Sequence, residues 1–439
     1  MLSDPIAALA TPPGRSALAV IRLSGAGAFA VAAQVIEGFG AGQPRALRLA
    51  RFLGRDGSAI DEGLYAVFPR PASYTGEDMV ELTCHGGVMT PAAVLASLFA
   101  AGARQAAPGE FTRRAVLNGK LDLIQAEAVG DLVDATAPNQ ARAALDQLDG
   151  ALSRRVEALR GALLELQALL SYDVDFPEED EGPVAPERIS RALSHATAIT
   201  ERMLRTAPVG QRLREGALVV IAGRPNAGKS SLFNALLGSS RTLVSEIPGT
   251  TRDTVEAFTE FDGWPIRLAD TAGIGDFENP VDRLGVEVSQ RYLEAADLVL
   301  LCVEAGGDPD PGERDWVGRG AVLLSTKSDR GRGSDGIPVS VVTGEGLDTI
   351  RREVASRVFQ RGMALGDLEP VLTRERHRDR LGVAHGHLLA AAEQLPPQGD
   401  AVLVSHHVRA ATEALDELIG VVDVEAVLDR VFASFCIGK

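Results

Sequence analysis

The 439-residue chain has little lysine, little cysteine and no long apolar run. Of its 44 basic residues 40 are arginines, and the four lysines are Lys120, Lys229, Lys327 and Lys439. A solvated surface accepts either cation, whereas a tight site for a compact point charge distinguishes them. The four lysines are therefore candidates for such sites. The three cysteines, Cys84, Cys302 and Cys436, lie far apart. They fit neither a disulfide framework nor a zinc-ligand spacing, so a reducing, cytoplasmic setting is expected. No run of about 18 apolar residues occurs, which excludes a membrane-spanning helix. The start of the chain opens with an acid and contains prolines, unlike a signal peptide.

Positive charge is also short. The formal net charge is −16, and it is uneven. Residues 1–118 hold 10 Arg against 9 Asp and Glu, a net of +1, and the remainder holds 34 basic against 51 acidic residues, a net of −17. Such a balance excludes nucleic-acid binding through a broad basic face. Any RNA contact is local or lent by a partner.

Residues 1–118 mix short apolar runs with Gly, Pro and Asp breaks. The runs at 17–25, 62–69 and 78–87 predict strands and 91–101 predicts a helix, giving an α+β domain. From 121 the pattern turns helical. Leu145, Leu148, Leu152, Val156, Leu159, Leu163, Leu166 and Leu170 step by three or four, which predicts one continuous bundle helix. An acidic turn at 177–183 and a helix at 186–206 follow. ALVVIAG at 217–223 opens an alternation of strands and helices that lasts to about 358 and predicts a mostly parallel, doubly wound sheet. Helical patterns return after 365. The expected fold class is multi-domain α/β: an N-terminal α+β domain over 1–118, a split α-helical bundle domain over 119–212 and 362–439, and a doubly wound P-loop domain inserted over 214–360.

GRPNAGKS at 223–230 fits the phosphate-loop pattern and lies between an apolar strand and a helix, the context that pattern requires. Its glycines let backbone N–H groups curl around phosphates, Lys229 reaches the β and γ phosphates, and the Ser230 hydroxyl ligates Mg²⁺. Asn226, Ala227, Gly228 and Ser231 complete that part of the nucleotide site. DTAG at 270–273 ends the next strand but one. Asp270 would meet the metal's water shell and the Gly273 N–H would sense the γ phosphate, with Thr271 and Ala272 between them. IPGTTRD at 247–253 is a Thr-rich loop in which Thr251 completes Mg²⁺ coordination. Ser245, Glu246, Ile247, Pro248, Gly249 and Thr250 belong to the same stretch of the site. TKSD at 326–329 closes a later strand. Asp329 can accept both N1–H and N2–H of guanine, a donor pair adenine lacks, so the expected nucleotide is GTP. Thr326, Lys327 and Ser340 flank the base.

Over essentially its full length the chain resembles the MnmE/TrmE family of tRNA-modification GTPases. GRPNAGKSS, IPGTTRD and DTAG are shared with other GTPases. ATPPGR at 10–15, TGEDMVEL at 75–82, HGG at 85–87, PGEFTRRA at 108–115, NGKLDL at 118–123 and FCIGK at 435–439 carry the specific likeness. The resemblance implies that the N-terminal domain binds folate and dimerises. It implies a homodimer that works with an FAD-dependent MnmG/GidA-type partner in a heterotetramer. Together they would place a carboxymethylaminomethyl-type group on C5 of the wobble uridine of certain tRNAs, the tRNA being held largely through the partner. The carbon would come from 5-formyl- or 5,10-methylene-tetrahydrofolate. The resemblance further implies K⁺ ligands at Asn226 and Thr250 and at the backbones of Ser245 and Ile247. A cation there supplies the charge that an arginine finger supplies elsewhere. Folate contacts carry over to Arg22, Glu81, Lys120 and Lys439, and catalytic roles to Asp282 and Cys436. Three positions depart from the family pattern. Thr326 replaces an Asn whose amide bridges guanine and the phosphate loop, Val341 replaces a small residue after Ser340, and Asp282 replaces a Glu longer by one CH₂.

Simpler readings stand beside these. Asp282 would serve as the N-cap of a helix starting at 283. Cys84 and His85 are neighbours on a strand and point to opposite faces, so Cys84 is expected in the core. His406 and His407 have no Cys or acid at metal spacing and read as structural. Two other function classes share the nucleotide motifs. One is a ribosome-assembly GTPase with a basic RNA-binding domain, against which the acidic flanks speak. The other is a non-catalytic folate-binding scaffold whose G domain only switches, which weak hydrolysis through Asp282 would favour.

Overall fold

A computed structural model describes residues 4–175, 186–238, 256–270, 290–331, 335–359, 370–395, 399–421, 425–432 and 435–438. The chain divides into two compact units: Met1–Gly130 with Leu148–Glu157 and Leu415–Lys439, and Asp131–Gln147 with Ala158–Ala414.

The first unit is built on a six-stranded sheet of β1 (Ile6–Leu9), β2 (Leu18–Ser24), β3 (Arg48–Leu53), β4 (Ala59–Phe68), β5 (Met79–His85) and β6 (Arg104–Gln105), in the order β3-β4-β5-β2-β1-β6. Neighbours run antiparallel except β1 with β6. Strand alternation sorts the faces. In β2, Ala19, Ile21 and Leu23 are buried, while Arg22 comes out between them. Helices Ala28–Val35 and Met89–Ala100 cover the apolar face, packing Val31, Val35, Val94 and Leu98 against Ile21, Leu23, Phe52 and Leu82. The end of the chain joins this unit. Leu428 and Phe432 of helix Glu425–Phe432 pack with Leu123 and Ala126, and Phe435 lies beside them. Gly109 makes room for that packing, since a Cβ on it would lie 2.8 Å from the Phe432 ring.

The leucine ladder expected as one helix is two helices, Pro138–Leu148 and Ala151–Asp175. Gly150 between them sits at φ 81°, a left-handed conformation that ends a helix and that glycine adopts without strain.

The second unit carries the other sheet: β7 (Ala217–Gly223), β8 (Glu256–Phe261), β9 (Trp264–Asp270), β10 (Leu298–Glu304), β11 (Val322–Thr326) and β12 (Ile337–Val339), ordered β12-β11-β10-β7-β9-β8. All pairs are parallel except β8 with β9. Central β7 is buried as far as Ala222, the mark of a strand covered on both faces. The order reverses at β7, and a doubly wound sheet opens a crevice at such a point, outside the strand C-termini. Helices Pro186–Leu204 and Glu375–Glu393 pack together in the same unit, joined by a 2.8 Å hydrogen bond between Thr200 Oγ1 and His385 Nδ1. The fold class is thus the one expected from the sequence, with mixed α/β sheets and helices on either side of the inserted α/β segment.

Candidate nucleotide site

The C-termini of β7, β9 and β11 converge on the phosphate loop. Residues 224–228 link β7 to helix Lys229–Leu237, whose first backbone N–H groups have no intrahelical acceptor. Gly228 at φ 88° and Asn226 at φ 62° are both left-handed, and this turns successive loop amides toward one concavity. Lys229 is 7% exposed and donates from Nζ to the carbonyls of Gly223 and Arg224, each at 2.8 Å. An ammonium has three donors, which leaves one for a phosphate oxygen. Burial pulls the Lys229 pKa below the usual lysine value, and the nearby Asp270 carboxylate opposes that shift. Asp270 ends β9 beside Ile221 of β7 and is 3% exposed. A buried carboxylate next to a lysine at the mouth of a helix N-terminus suits a hydrated hard cation bound with phosphates. Ser230 and Ser231 open the same helix and are exposed, so the Ser230 hydroxyl is free to face a metal–phosphate ligand.

Arg224 braces the loop from outside. Its guanidinium lies 3.3 Å from Asp310 and 3.2 Å from Glu313 of the capped helix Pro311–Gly318. Sequence reading missed this brace. Its one visible sign was an acidic, Pro-led helix start at 308–313.

The base-selecting end is also assembled. Ser340 is fully buried and donates at 2.7 Å to Asp329 Oδ1, and that hydrogen bond holds the Asp329 carboxyl below its ordinary pKa. Asp329 is exposed and ionised, with its second oxygen available. Lys327, at φ 57°, faces Glu304 at 3.1 Å. Thr326 is 4% exposed and donates at 2.7 Å to the Ala227 carbonyl. The tie from the TKSD strand to the phosphate loop, expected to be lost with the amide, is therefore present through a hydroxyl. Val341, which follows Ser340, is 41% exposed.

In the first unit, Arg22 and Glu81 are cross-strand partners on β2 and β5, 2.9 Å apart and each 28% exposed. The Arg22 guanidinium also lies 5.4 Å from the centre of the Tyr74 ring, and the Tyr74 hydroxyl meets Thr112 at 2.8 Å. Two residues on, Gly76 abuts Lys120, whose Cγ would lie 3.2 Å from a Cβ added there. Lys120 is exposed. These placements bring the signatures at 75–82 and 118–123 together, along with Tyr74, which the sequence reading did not single out. Cys436 is exposed, and its carbonyl accepts from the Gly109 N–H at 3.3 Å. Cys84 is buried in the core as expected, and burial pushes its thiol up to about 11. His407 meets His387 at 3.2 Å between ring nitrogens.

Several expected site residues lie outside the described residues: Ser245, Glu246, Ile247, Pro248, Gly249, Thr250 and Thr251, then Thr271, Ala272, Gly273, Asp282 and Lys439. Among the described residues no group of three or more His, Cys, Asp or Glu forms a metal cluster, and no helix is long and apolar enough to cross a membrane.

Two family models match the chain: the GTP-binding protein TrmE N-terminus over residues 5–120 and the MnmE helical domain over residues 123–436. A tRNA modification GTPase MnmE of Thermus thermophilus is 44% identical over 448 residues, covering all of both chains. One of Heliobacterium modesticaldum is 40% identical over 467 residues, again covering all of both. One of Methylorubrum populi is 43% identical over 440 residues, covering 97% of this chain and 96% of the relative.

Proposed function

The chain belongs to the MnmE family of tRNA modification GTPases, and from that premise we propose that it hydrolyses GTP in order to drive modification of the wobble uridine of tRNA. One observation carries the reading: the buried Lys229 and Asp270 stand together at the strand C-termini, with the Asp329–Ser340 pair just beyond the ends of β11 and β12 in the same sheet. In the proposed reaction the loop amides and Lys229 hold the β and γ phosphates, and Asp329 takes the guanine edge. Mg²⁺, when bound, neutralises phosphate charge, and Ser230, Thr251 and Asp270 are oxygen donors suited to it and its water shell. K⁺ is proposed at Asn226, with Thr250 and the carbonyls of Ser245 and Ile247, all hard oxygen donors. The exposed, left-handed Asn226 presents its side chain at the loop rim in support.

Asp282 is proposed to orient the attacking water. Asp282→Asn is expected to slow GTP turnover by roughly tenfold or more, and Asp282→Glu to match or exceed the wild-type rate. An unchanged rate in the Asn variant, measured by phosphate release, would return Asp282 to a helix-cap role.

The N-terminal domain is proposed to bind a reduced folate, 5-formyl- or 5,10-methylene-tetrahydrofolate, through Arg22, Glu81, Lys120 and Lys439, with Cys436 beside the one-carbon group. The half-buried Arg22–Glu81 pair beside Tyr74 supports this: a carboxylate accepts from pterin N–H groups, and cations suit an anionic glutamate tail. Lys120→Ala and deletion of 436–439 are each expected to weaken 5-formyltetrahydrofolate binding and leave GTP affinity intact, as read by calorimetry. Undiminished folate binding in both would remove these residues from the site. The four-segment organisation at 1–118, 119–212, 214–360 and 362–439, a cytoplasmic homodimer, and a heterotetramer with an FAD-dependent MnmG/GidA-type partner complete the proposal.

A further inference from the structure

Guanine offers donors at N1 and N2 and acceptors at N7 and O6. Asp329 can satisfy only the donors. The ribose hangs from the ring that carries N7, so with the donor edge at Asp329 and the phosphates at 224–230 that ring lies on the side of the site nearer the phosphate loop. Thr326 stands there, three residues before Asp329 and bonded to Ala227 of the loop.

An asparagine in that place has two N–H donors, enough to hold the loop carbonyl and reach the base as well. A threonine hydroxyl has one hydrogen. Here it goes to the Ala227 carbonyl at 2.7 Å, with the Val303 carbonyl at 3.2 Å as its other neighbour, and both acceptors belong to the protein main chain. Among the described residues, two hydroxyls that flank Asp329 are also committed, in their case to carboxylates. Ser328 donates to Glu345 and Ser340 to Asp329, each at 2.7 Å.

We propose that Thr326 makes this site read the donor edge of guanine while leaving N7 without a side-chain partner. The hydroxyl keeps the mechanical tie to the phosphate loop and gives up the base contact. Guanine selectivity then rests on Asp329, and the base is held by one edge. This rests on the reading of the second unit's crevice as a GTP site.

The test is equilibrium binding of GDP and of 7-deaza-GDP, which lacks the N7 acceptor, to the full-length chain with Mg²⁺. The wild type is expected to bind the two alike, within about twofold. Thr326→Asn is expected to tighten GDP by about threefold to tenfold, the worth of one neutral hydrogen bond, without tightening 7-deaza-GDP. A wild-type preference for GDP of about tenfold or more would overturn the proposal, and that comparison needs no variant to fold. Equal tightening of both nucleotides by Thr326→Asn would overturn it as well. If the wild type binds neither nucleotide, the GTP-site reading itself fails, an outcome distinct from binding both in the wrong ratio.

Discussion

Replacing Arg114 with methionine is expected to destabilise the N-terminal unit by about 3 to 5 kcal/mol, because it takes one of two cations from the buried Glu110 and the buried cation from the half-buried Glu77. Arg114 is 1% exposed. It donates to the Asp4 carbonyl at 2.9 Å, to Glu77 at 3.0 Å and to Glu110 at 2.9 Å. Glu77 comes from the signature at 75–82, and Glu110 and Arg114 from the one at 108–115, so this cation fixes two family motifs to each other and to the chain start. Glu110 is 3% exposed. Its burial alone would raise its pKa, yet hydrogen bonds from Arg104, the Ala107 N–H and Arg114 hold it down at about 2, against an ordinary value of 4.5. A depressed carboxylate pKa contributes stability that is fully present above the ordinary value. That contribution is lost as pH falls from about 4.5 toward about 2. Without Arg114 the Glu110 pKa should move back toward its ordinary value, so this contribution should shrink and its loss should be complete at a higher pH. Hydrogen exchange of β1 and β2 amides in the full chain, followed against pH, measures both effects. A change under about 1 kcal/mol would show that Arg104 alone satisfies Glu110.

Asp329→Asn is expected to weaken GTP binding by about tenfold or more, since a charged acceptor for two guanine donors becomes an amide with one acceptor and a misplaced donor. The same change should admit xanthosine triphosphate, whose base offers an acceptor where guanine has its amino donor. The Ser340 hydroxyl that now donates to Asp329 Oδ1 survives the change, so the loop should keep its shape. Competition binding with the two nucleotides reads the switch. Unaltered selectivity would mean that the base lies elsewhere.

What the sequence showed depended on how local the determinant was. The strands at 18–24, 59–68 and 79–85 were visible because their apolar residues alternate or run unbroken. Ile6–Leu9 and Arg48–Leu53 were not: the first is four residues of a small-residue run, and the second carries its hydrophobics between arginines at an edge. Lys229, Asp270 and Asp329 were legible because each belongs to a short motif set by chain geometry at a strand end. The contacts of Arg22 with Tyr74 and of Arg114 with Glu77 and Asp4 were hidden, since each joins residues far apart in sequence that only the tertiary fold brings together. Gly150 shows the opposite failure. A leucine rhythm continued through a glycine whose left-handed conformation breaks the helix.

The most direct measurement is phosphate release by the purified full-length chain with Mg²⁺, from GTP and from ATP, in K⁺ and in Na⁺ at matched ionic strength. Turnover of GTP is expected in K⁺, much slower turnover in Na⁺, whose smaller ion fits the same oxygens poorly, and none of ATP in either. Equal GTP rates in the two salts would contradict the cation site at Asn226. ATP turnover matching that of GTP would contradict the nucleotide site as a whole.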